Sequence, residues 1–351
     1  MSGTALWRDA MPMAVLGMGT ALPGEPVPTA DLLARCEAAL GRGTRVRGEA
    51  LARKLGIRSR HLCRALRAPI ERPRPGQRNP ELAADAVGAA LREAGVAVGE
   101  LGYLIGHTAT PARPLPPNTA EVAQLLGYSG PFVELRQACT GFINALVLAQ
   151  GLLRGADRPV AIVGSETGSV FFDLRRAARD AGQLVNLLQM GDGAAAIVIG
   201  RAIRGAPSIA NLFHGQVGAG RPSGLSMLAG GSDRPDCDGS VLEFAHDFAA
   251  VRRGGAELLQ HCASAATQAG AMPAARVLPH QANGRMAALV GQALGCAPAQ
   301  VVVNADRLGN TGSAAIWLAL AEQRRHGSES IAVLGMEATA FMFGGFRYSH
   351  D

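Results

Sequence analysis

Residues 133–142, Val-Glu-Leu-Arg-Gln-Ala-Cys-Thr-Gly-Phe, hold the side chain best suited to covalent chemistry, Cys139. A strand-like run, Phe132–Leu135, precedes it and a helix-like run, Phe142–Leu153, follows. The join, Ala138-Cys139-Thr140-Gly141, is built of small residues that let a substrate approach the backbone. A cysteine there sits at a helix N-terminus, where the macrodipole and free N–H groups favour the thiolate. The same N–H groups can hold the oxyanion formed when that thiolate attacks a thioester carbonyl. A lone cysteine is more often a small core residue. The assignment therefore depends on what the rest of the chain places around it.

The chain has 351 residues, enough for two domains or one large α/β unit with a double core. With 48% hydrophobic and 18% charged residues it reads as an ordinary globular protein. Six scattered cysteines (36, 63, 139, 237, 262, 296) form no CxxC pair and no metal-ligand spacing, which points to a reduced, cytoplasmic protein without a metal site. No basic n-region precedes an apolar run at the start, and no run reaches membrane-spanning length, so no membrane association is expected. The net charge of +6 is uneven. Between Arg42 and Arg78, eleven Arg and Lys54 stand against Glu49 and Glu71, a local +10 that leaves about −4 elsewhere. This is either a solvated surface or a docking face for a phosphorylated arm or acidic carrier. Without interleaved aromatics it does not read as a nucleic-acid site.

The elements that must position Cys139 come in order. Met13–Gly19 is a strand; the glycines after it are not a dinucleotide loop, because Leu22 and Pro23 stand where a glycine and a helix start belong. Asp31–Leu40 reads as a helix. The Arg-rich segment, broken by Pro69, Pro73, Pro75 and Pro80, reads as loop-rich. Helices over Leu82–Ala94 and Ala120–Leu126 flank a buried strand, Gly102–Gly106, and a stiff loop, Thr110–Pro117.

A hidden repeat then appears. Val160-Ala-Ile-Val-Gly-Ser-Glu166 resembles Ile331-Ala-Val-Leu-Gly-Met-Glu337, and Tyr103–Ala109 resembles Arg276–Ala282. Cys139 lies 27 residues before Glu166, as Asn310 lies 27 before Glu337; His107 precedes Cys139 by 32, and His280 precedes Asn310 by 30. Two halves with one pattern imply duplicated α/β units, 1–200 and 201–351, each with a mainly parallel sheet. Cys139 and Asn310 then occupy equivalent strand-to-helix joins facing one cleft. Residues 201–247 read as a connecting or capping insertion.

The second half carries Leu278-Pro-His-Gln-Ala-Asn-Gly-Arg-Met286 and Arg307-Leu-Gly-Asn-Thr-Gly-Ser-Ala-Ala315. Taken singly, His280 could cap a strand end and Asn310 could be a turn residue. Together with the Ala-Cys-Thr-Gly-Phe elbow, Gly56-Ile-Arg-Ser-Arg60 and Gly191-Asp-Gly-Ala194, they make the chain resemble the β-ketoacyl-acyl-carrier-protein synthase III family of the thiolase superfamily. The resemblance implies a thiolase-like five-layer αβαβα fold from two duplicated halves and a homodimer. It also implies a Cys139/His280/Asn310 triad and no tightly bound cofactor. The substrates it implies are thioesters of coenzyme A or of acyl-carrier phosphopantetheine, the carrier protein being a partner. Cys139 would take an acyl group; His280 and Asn310 would then hold the thioester oxygen of a malonyl unit as it loses CO2. A histidine near the cysteine also helps hold a thiolate. Asn283 and Arg285 would contact the pantetheine arm or carrier phosphate, and His107 would be structural or cleft-lining.

Three departures from the family pattern bear on function. Ala50 stands where coenzyme A users carry Trp, favouring a carrier-protein donor. The family's triple-glycine loop reads Ala338-Thr339-Ala340, so Thr339 N–H would complete an oxyanion hole with Cys139 N–H from a more restricted backbone. Leu115 takes the tunnel-end position, often Phe in acetyl-selective members. Two functions follow: a decarboxylative condensing enzyme, or a non-condensing acyltransferase passing the acyl group from Cys139 to an alcohol, amine or thiol in secondary metabolism.

Overall fold

The computed structural model describes residues 6–66, 71–234, 242–325 and 329–350. Cys237, His326 and the breaker Pro69 lie outside the described residues. The first half contributes strands β1 (Met13–Ala21), β2 (Tyr103–His107), β3 (Phe132–Leu135), β4 (Val160–Glu166) and β5 (Gly193–Arg201). The second contributes β6 (Pro207–Gln216), β7 (Arg276–Pro279), β8 (Ile331–Glu337) and β9 (Met342–His350). Strand order is β3-β2-β4-β5-β1 in the first half and β7-β8-β9-β6 in the second. Val301 makes a one-residue parallel bridge to Val277 of β7, where the repeat requires a counterpart of β3. The halves meet where Met13 and Ala14 of β1 pair with Ile209 and Ser208 of β6.

Each half is mixed, not mainly parallel. The pairs β2–β3, β2–β4 and β7–β8 are parallel, whereas β4–β5, β1–β5, β8–β9 and β6–β9 are antiparallel. Apolar runs mark strands buried on both faces but carry no information about direction. Residues 207–216, expected inside an insertion, form the full-length strand β6 at the seam. Residues 42–55 are a helix, not loop, because every proline of the Arg-rich segment lies downstream of it. Two arginines of the segment beyond that helix are core residues. Arg60 donates to Thr29 Oγ1 at 2.9 Å and to the Leu188 carbonyl at 2.7 Å, and Arg64 is equally buried, so the local charge is not one continuous surface.

Six helices complete the layers: α1 (Asn79–Ala94), α2 (Asn118–Leu126), α3 (Gly141–Gly155), α4 (Phe248–Gln268), α5 (Met286–Leu294) and α6 (Ala315–Arg324). The α1 and α2 side chains pack with Leu104, Ala161 and Val163 on the outer face of the first sheet. Those of α4 and α5 pack with Val277 and Leu334 outside the second. Between the sheets lie α3 and α6, whose Phe142, Leu146, Trp317 and Leu320 share a cluster with Ile162, Ile197, Val333 and Phe346. The alternation Ala161/Val163 outward and Val160/Ile162 inward is the two-residue period of a strand covered on both faces. The result is a thiolase-like five-layer arrangement, helices–sheet–helices–sheet–helices.

The central helices enter only because two strands present no side chain at one position. A Cβ on Gly164 of β4 would stand 2.2 Å from the Ser313 carbonyl oxygen and 2.8 Å from His107 Cε1; one on Gly335 of β8 would stand 2.3 Å from Phe142 Cε1. Gly164→Ala is expected to lower the unfolding free energy by ~1–3 kcal/mol, since backbone cannot yield as a side chain does. Gly151→Ala, in α3 with open space around it, is expected to be neutral or stabilising by up to ~1 kcal/mol. Urea unfolding of both variants checks the contrast, and equal midpoints would contradict this packing account.

Candidate active site

Cys139 stands four residues past the end of β3 and two before the first residue of α3. The bend is closed by Gly141 N–H donating to the Ala138 carbonyl at 2.9 Å. Gln137, which the sequence reading left without a role, braces it: Nε2 reaches Thr140 Oγ1 at 3.4 Å and Met342 Sδ at 3.0 Å, and Asn144 Nδ2 donates to Gln137 Oε1. Gly141 must be glycine, because its Cβ would lie 2.8 Å from His107 Nδ1. His107 itself is buried behind the elbow and accepts from Trp317 Nε1 at 3.1 Å. Burial pushes its pKa down to about 3, so it is a neutral structural group.

His280 follows β7, its N–H donating to the Leu334 carbonyl at 2.8 Å. The next residue, Gln281, is the brace. It donates to the Pro279 and Val302 carbonyls at 2.9 and 3.0 Å and accepts from Asn304 N–H at 2.9 Å. Asn310 follows the short helical turn Ala305–Leu308 and Gly309, not a regular strand as the repeat suggested. It is held by the first half: Asn310 N–H donates to the Gln189 carbonyl at 2.8 Å and its carbonyl accepts from Gly191 N–H at 3.0 Å. Asn310 Oδ1 accepts from Gly312 N–H at 3.0 Å, which leaves the amide nitrogen, a double donor, as its free end. Asp192, another residue given no role, is buried; it accepts from Cys63 N–H at 2.7 Å and Ser169 N–H at 3.0 Å, locking the loop that carries this contact.

Cys139, His280 and Asn310 line one cleft of about 500 Å³, with Met286, Val290 and Phe341 among its apolar walls. On its other side Cys139 borders a pocket of about 60 Å³ shared with Thr110, Glu166, Met190 and Phe244. Asn283 lines the larger cleft. Arg285 does not; its Nη2 donates to the Arg53 carbonyl at 2.9 Å and its side chain packs on Gly56. Thr339 lines a neighbouring cleft of about 660 Å³ with Gln137 and Ala138. Leu115 is 81% exposed and reaches none of the clefts that Cys139 borders in its own chain.

The electrostatics act against a resting thiolate. Burial pushes the Cys139 thiol up, and the carboxylates of Glu337 and Glu166 push it further. His280 gives no cationic help, since burial drives its pKa down to about 4. Low dielectric and two nearby carboxylates act against the helix terminus. Among the described residues no group of three His, Cys, Asp or Glu side chains is placed to hold a metal ion, and no helix is long and apolar enough to cross a membrane.

Residues 133–216 match the family model for 3-oxoacyl-[acyl-carrier-protein] synthase III, and residues 268–337 match the model for its C-terminal part. A β-ketoacyl-[acyl-carrier-protein] synthase III of Nitratidesulfovibrio vulgaris is 30% identical over 348 residues, covering 95% of this chain and 96% of that protein. The chain belongs to the 3-oxoacyl-[acyl-carrier-protein] synthase III family. A 3-oxopimeloyl-[acyl-carrier-protein] synthase of Rhodothermus marinus is 32% identical over 333 residues, covering 92% of this chain and 88% of that one. Among solved structures, a tetronic acid condensing enzyme superposes with a TM-score of 0.83 at 28% identity, covering 96% and 99% of the two chains. The synthase III of Pseudomonas aeruginosa PAO1 shares the fold at a TM-score of 0.76 and 24% identity, covering 96% and 98%. This synthase III homologue is thus an acyl-transferring enzyme by family.

Its His280 is expected to stay neutral at pH 5.5, a pH at which an unperturbed imidazole is mostly protonated. ¹⁵N NMR of histidine-labelled protein, with His280→Asn to assign the signal, reads this directly. Imidazolium shifts at pH 5.5 would contradict it.

Proposed function

We propose that the protein catalyses a decarboxylative Claisen condensation of an acyl thioester with a malonyl thioester through acyl-Cys139. Cys139 Sγ attacks the acyl thioester, and its own N–H together with Thr339 N–H holds the oxyanion. A malonyl thioester then enters the larger cleft. His280 and Asn310 donate to its thioester oxygen while CO2 leaves, and the resulting carbanion attacks the acyl group, forming the C–C bond and freeing Cys139. The observation that carries this reading is that residues from both halves, Cys139 from 1–200 and His280 and Asn310 from 201–351, line one cleft.

Neutral donors suit the second step. Decarboxylation moves negative charge onto the thioester oxygen, and a neutral imidazole and an amide stabilise it without binding the substrate carboxylate as a fixed cation would. The substrates in this reading are coenzyme A or acyl-carrier phosphopantetheine thioesters, with the acyl carrier protein as partner. Asn283 meets the arm inside the cleft and Arg285 meets it at the surface. The same reading has a cytoplasmic homodimer in which Leu115 of the partner subunit closes the acyl pocket. The exposed edge strand β3 and the 81% exposure of Leu115 support that assembly.

Asn310→Ala is expected to accumulate acyl-enzyme at close to the wild-type rate. Product formation and malonyl-dependent CO2 release are expected to fall together, by about a hundredfold to a thousandfold. Single-turnover acylation followed by intact mass, beside labelled CO2 release from malonyl-carrier and malonyl-coenzyme A, measures both. Wild-type protein that acylates on Cys139 yet releases no CO2 from either donor would establish the simple acyltransferase instead. Leu115→Phe is expected to shift donor preference toward acetyl over hexanoyl and octanoyl; an unchanged ranking removes Leu115 from the pocket.

A further inference from the structure

The loop Ala338-Thr339-Ala340 carries side chains where glycines would leave it free, and those side chains tie it to itself. Glu337 and Met342 form the last pair of β8 and β9, so residues 338–341 close the hairpin. The loop is the wall between two clefts. Ala338 and Phe341 line the cleft of Cys139, His280 and Asn310, while Thr339 and Ala340 line the neighbouring one beside Ala138. Met342 Sδ, 3.0 Å from Gln137 Nε2, joins the hairpin to the nucleophile elbow.

The peptide between Ala338 and Thr339 is held on both sides. Its carbonyl accepts from Gly224 N–H at 2.9 Å. A trans peptide is planar, so Thr339 N–H points away from that bond, and no group among the described residues accepts it. Beyond it, Thr339 Oγ1 donates to Glu337 Oε2 at 2.6 Å, and Glu337 Oε1 accepts from Ala340 N–H at 3.3 Å. Phe341 shows what these bonds oppose. Its φ of 49° is a left-handed conformation, disfavoured for a residue with a Cβ. It is held there from outside: Val217 N–H donates to its carbonyl at 2.9 Å, and its ring packs on Gly254, where a Cβ would stand 2.7 Å from Cε1.

We propose that the Glu337 and Thr339 side chains form a clamp that positions Thr339 N–H as an oxyanion donor while Cys139 is acylated. This rests on Cys139 as nucleophile and on Thr339 N–H as that donor. Both side chains are positioning residues, acting through the backbone and not on the reacting atoms. Glycines would leave such a loop many backbone states, and a donor helps only if it already points at the developing charge. Residues with a Cβ narrow the choice, and the hydroxyl–carboxylate bond selects one conformation within it. The repeat supplies the contrast. Glu166, at the equivalent strand end, accepts from Ala109, Thr110 and Ser313, all distant in the chain. Glu337 instead turns back on residues two and three further along.

The test is single-turnover acylation of the full-length protein over a range of acyl-coenzyme A concentrations, read by intact mass and peptide mapping. Matched thermal melts check that each variant is folded. Thr339→Val keeps the side-chain shape without the hydroxyl. It is expected to lower the limiting rate by about tenfold to a hundredfold. The half-saturating concentration should not change, because the donor acts on the transition state and not on binding. Thr339→Ser, which keeps the hydroxyl, should recover most of that loss. Whatever Glu337→Ala does by itself, adding Thr339→Val to it should cost nothing further, since the clamp is already gone. If Glu337→Ala does not fold, the contrast between Val and Ser decides. Equal limiting rates in wild type and Thr339→Val would overturn the proposal. So would Ser as slow as Val, a change in half-saturation alone, or the full Val loss persisting beside Glu337→Ala. Thr339→Pro removes the N–H itself: a slow Pro variant beside an unaffected Val variant would keep the donor and remove the clamp. Wild type never acylated on Cys139 would defeat the nucleophile assignment and the clamp with it. Wild type acylated there without malonyl-dependent CO2 release would replace condensation by simple transfer and leave the clamp standing.

Discussion

The close approach of the two halves through a pair of glycines decides almost everything else. Gly164 and Gly335 occupy the same position in equivalent strands, each two residues before a terminal glutamate. Through Gly164 the first sheet admits the backbone of Ser313 at the start of α6; through Gly335 the second admits the ring of Phe142 at the start of α3. Phe142 then meets Trp317 edge-on at 5.9 Å, and the two central helices share one core between the sheets. Because Cys139 and Asn310 sit just before those helices, whatever brings the helix starts together brings these residues to one cleft. A side chain at either glycine would separate them.

Polar groups fix what the apolar core cannot. Dispersion and hydrophobic burial hold the layers together but discriminate poorly between small displacements, whereas a buried hydrogen-bond acceptor left unpaired costs about 1–3 kcal/mol. Glu166 uses that penalty both within the first half, through Ala109 N–H and Thr110 Oγ1, and across the seam, through two donors of Ser313. Gln281 does the same within the second half and Asp192 within the first. These groups surround the cleft without entering its chemistry, and they allow Cys139 to keep some exposure in an otherwise closed core.

Much of this was legible in the sequence, for identifiable reasons. The repeat was visible because equal spacing survives divergence, and Phe132–Leu135 and Val160–Glu166 have the bounds that their β-branched runs announce. Strand direction was not visible, because side-chain alternation is the same either way. Residues 207–216 were hidden by Pro207 and the glycines that follow the strand, although a proline at the first position of a strand loses no ladder bond that matters. The groups that act against a Cys139 thiolate were not visible, because a helix terminus is a local feature, while burial and Glu337, 198 positions further along, belong to the folded chain. Gln281 and Asp192 carry no spacing signal, since they bond to backbone groups, and Gln137 bonds to the side chains of Thr140, Asn144 and the sequence-distant Met342.

The duplication also separates equivalent residues into two kinds. His107 ends and His280 follows the second strand of its half, and both are kept neutral by burial. His107 is sealed by Trp317, whereas His280 opens on the cleft; the Nδ1 of each finds no hydrogen-bond partner among the described residues. Glu166 is saturated and Glu337 is not. In each pair the first-half member bonds across the seam to the second half, and the second-half member lines the larger cleft. The elbow shows the complementary pattern, with the nucleophile in the first half and the amide donor in the second. Asn310 does both, its backbone bonding Gln189 and Gly191 of the first half while the residue lines the cleft, so the site is built on the seam itself.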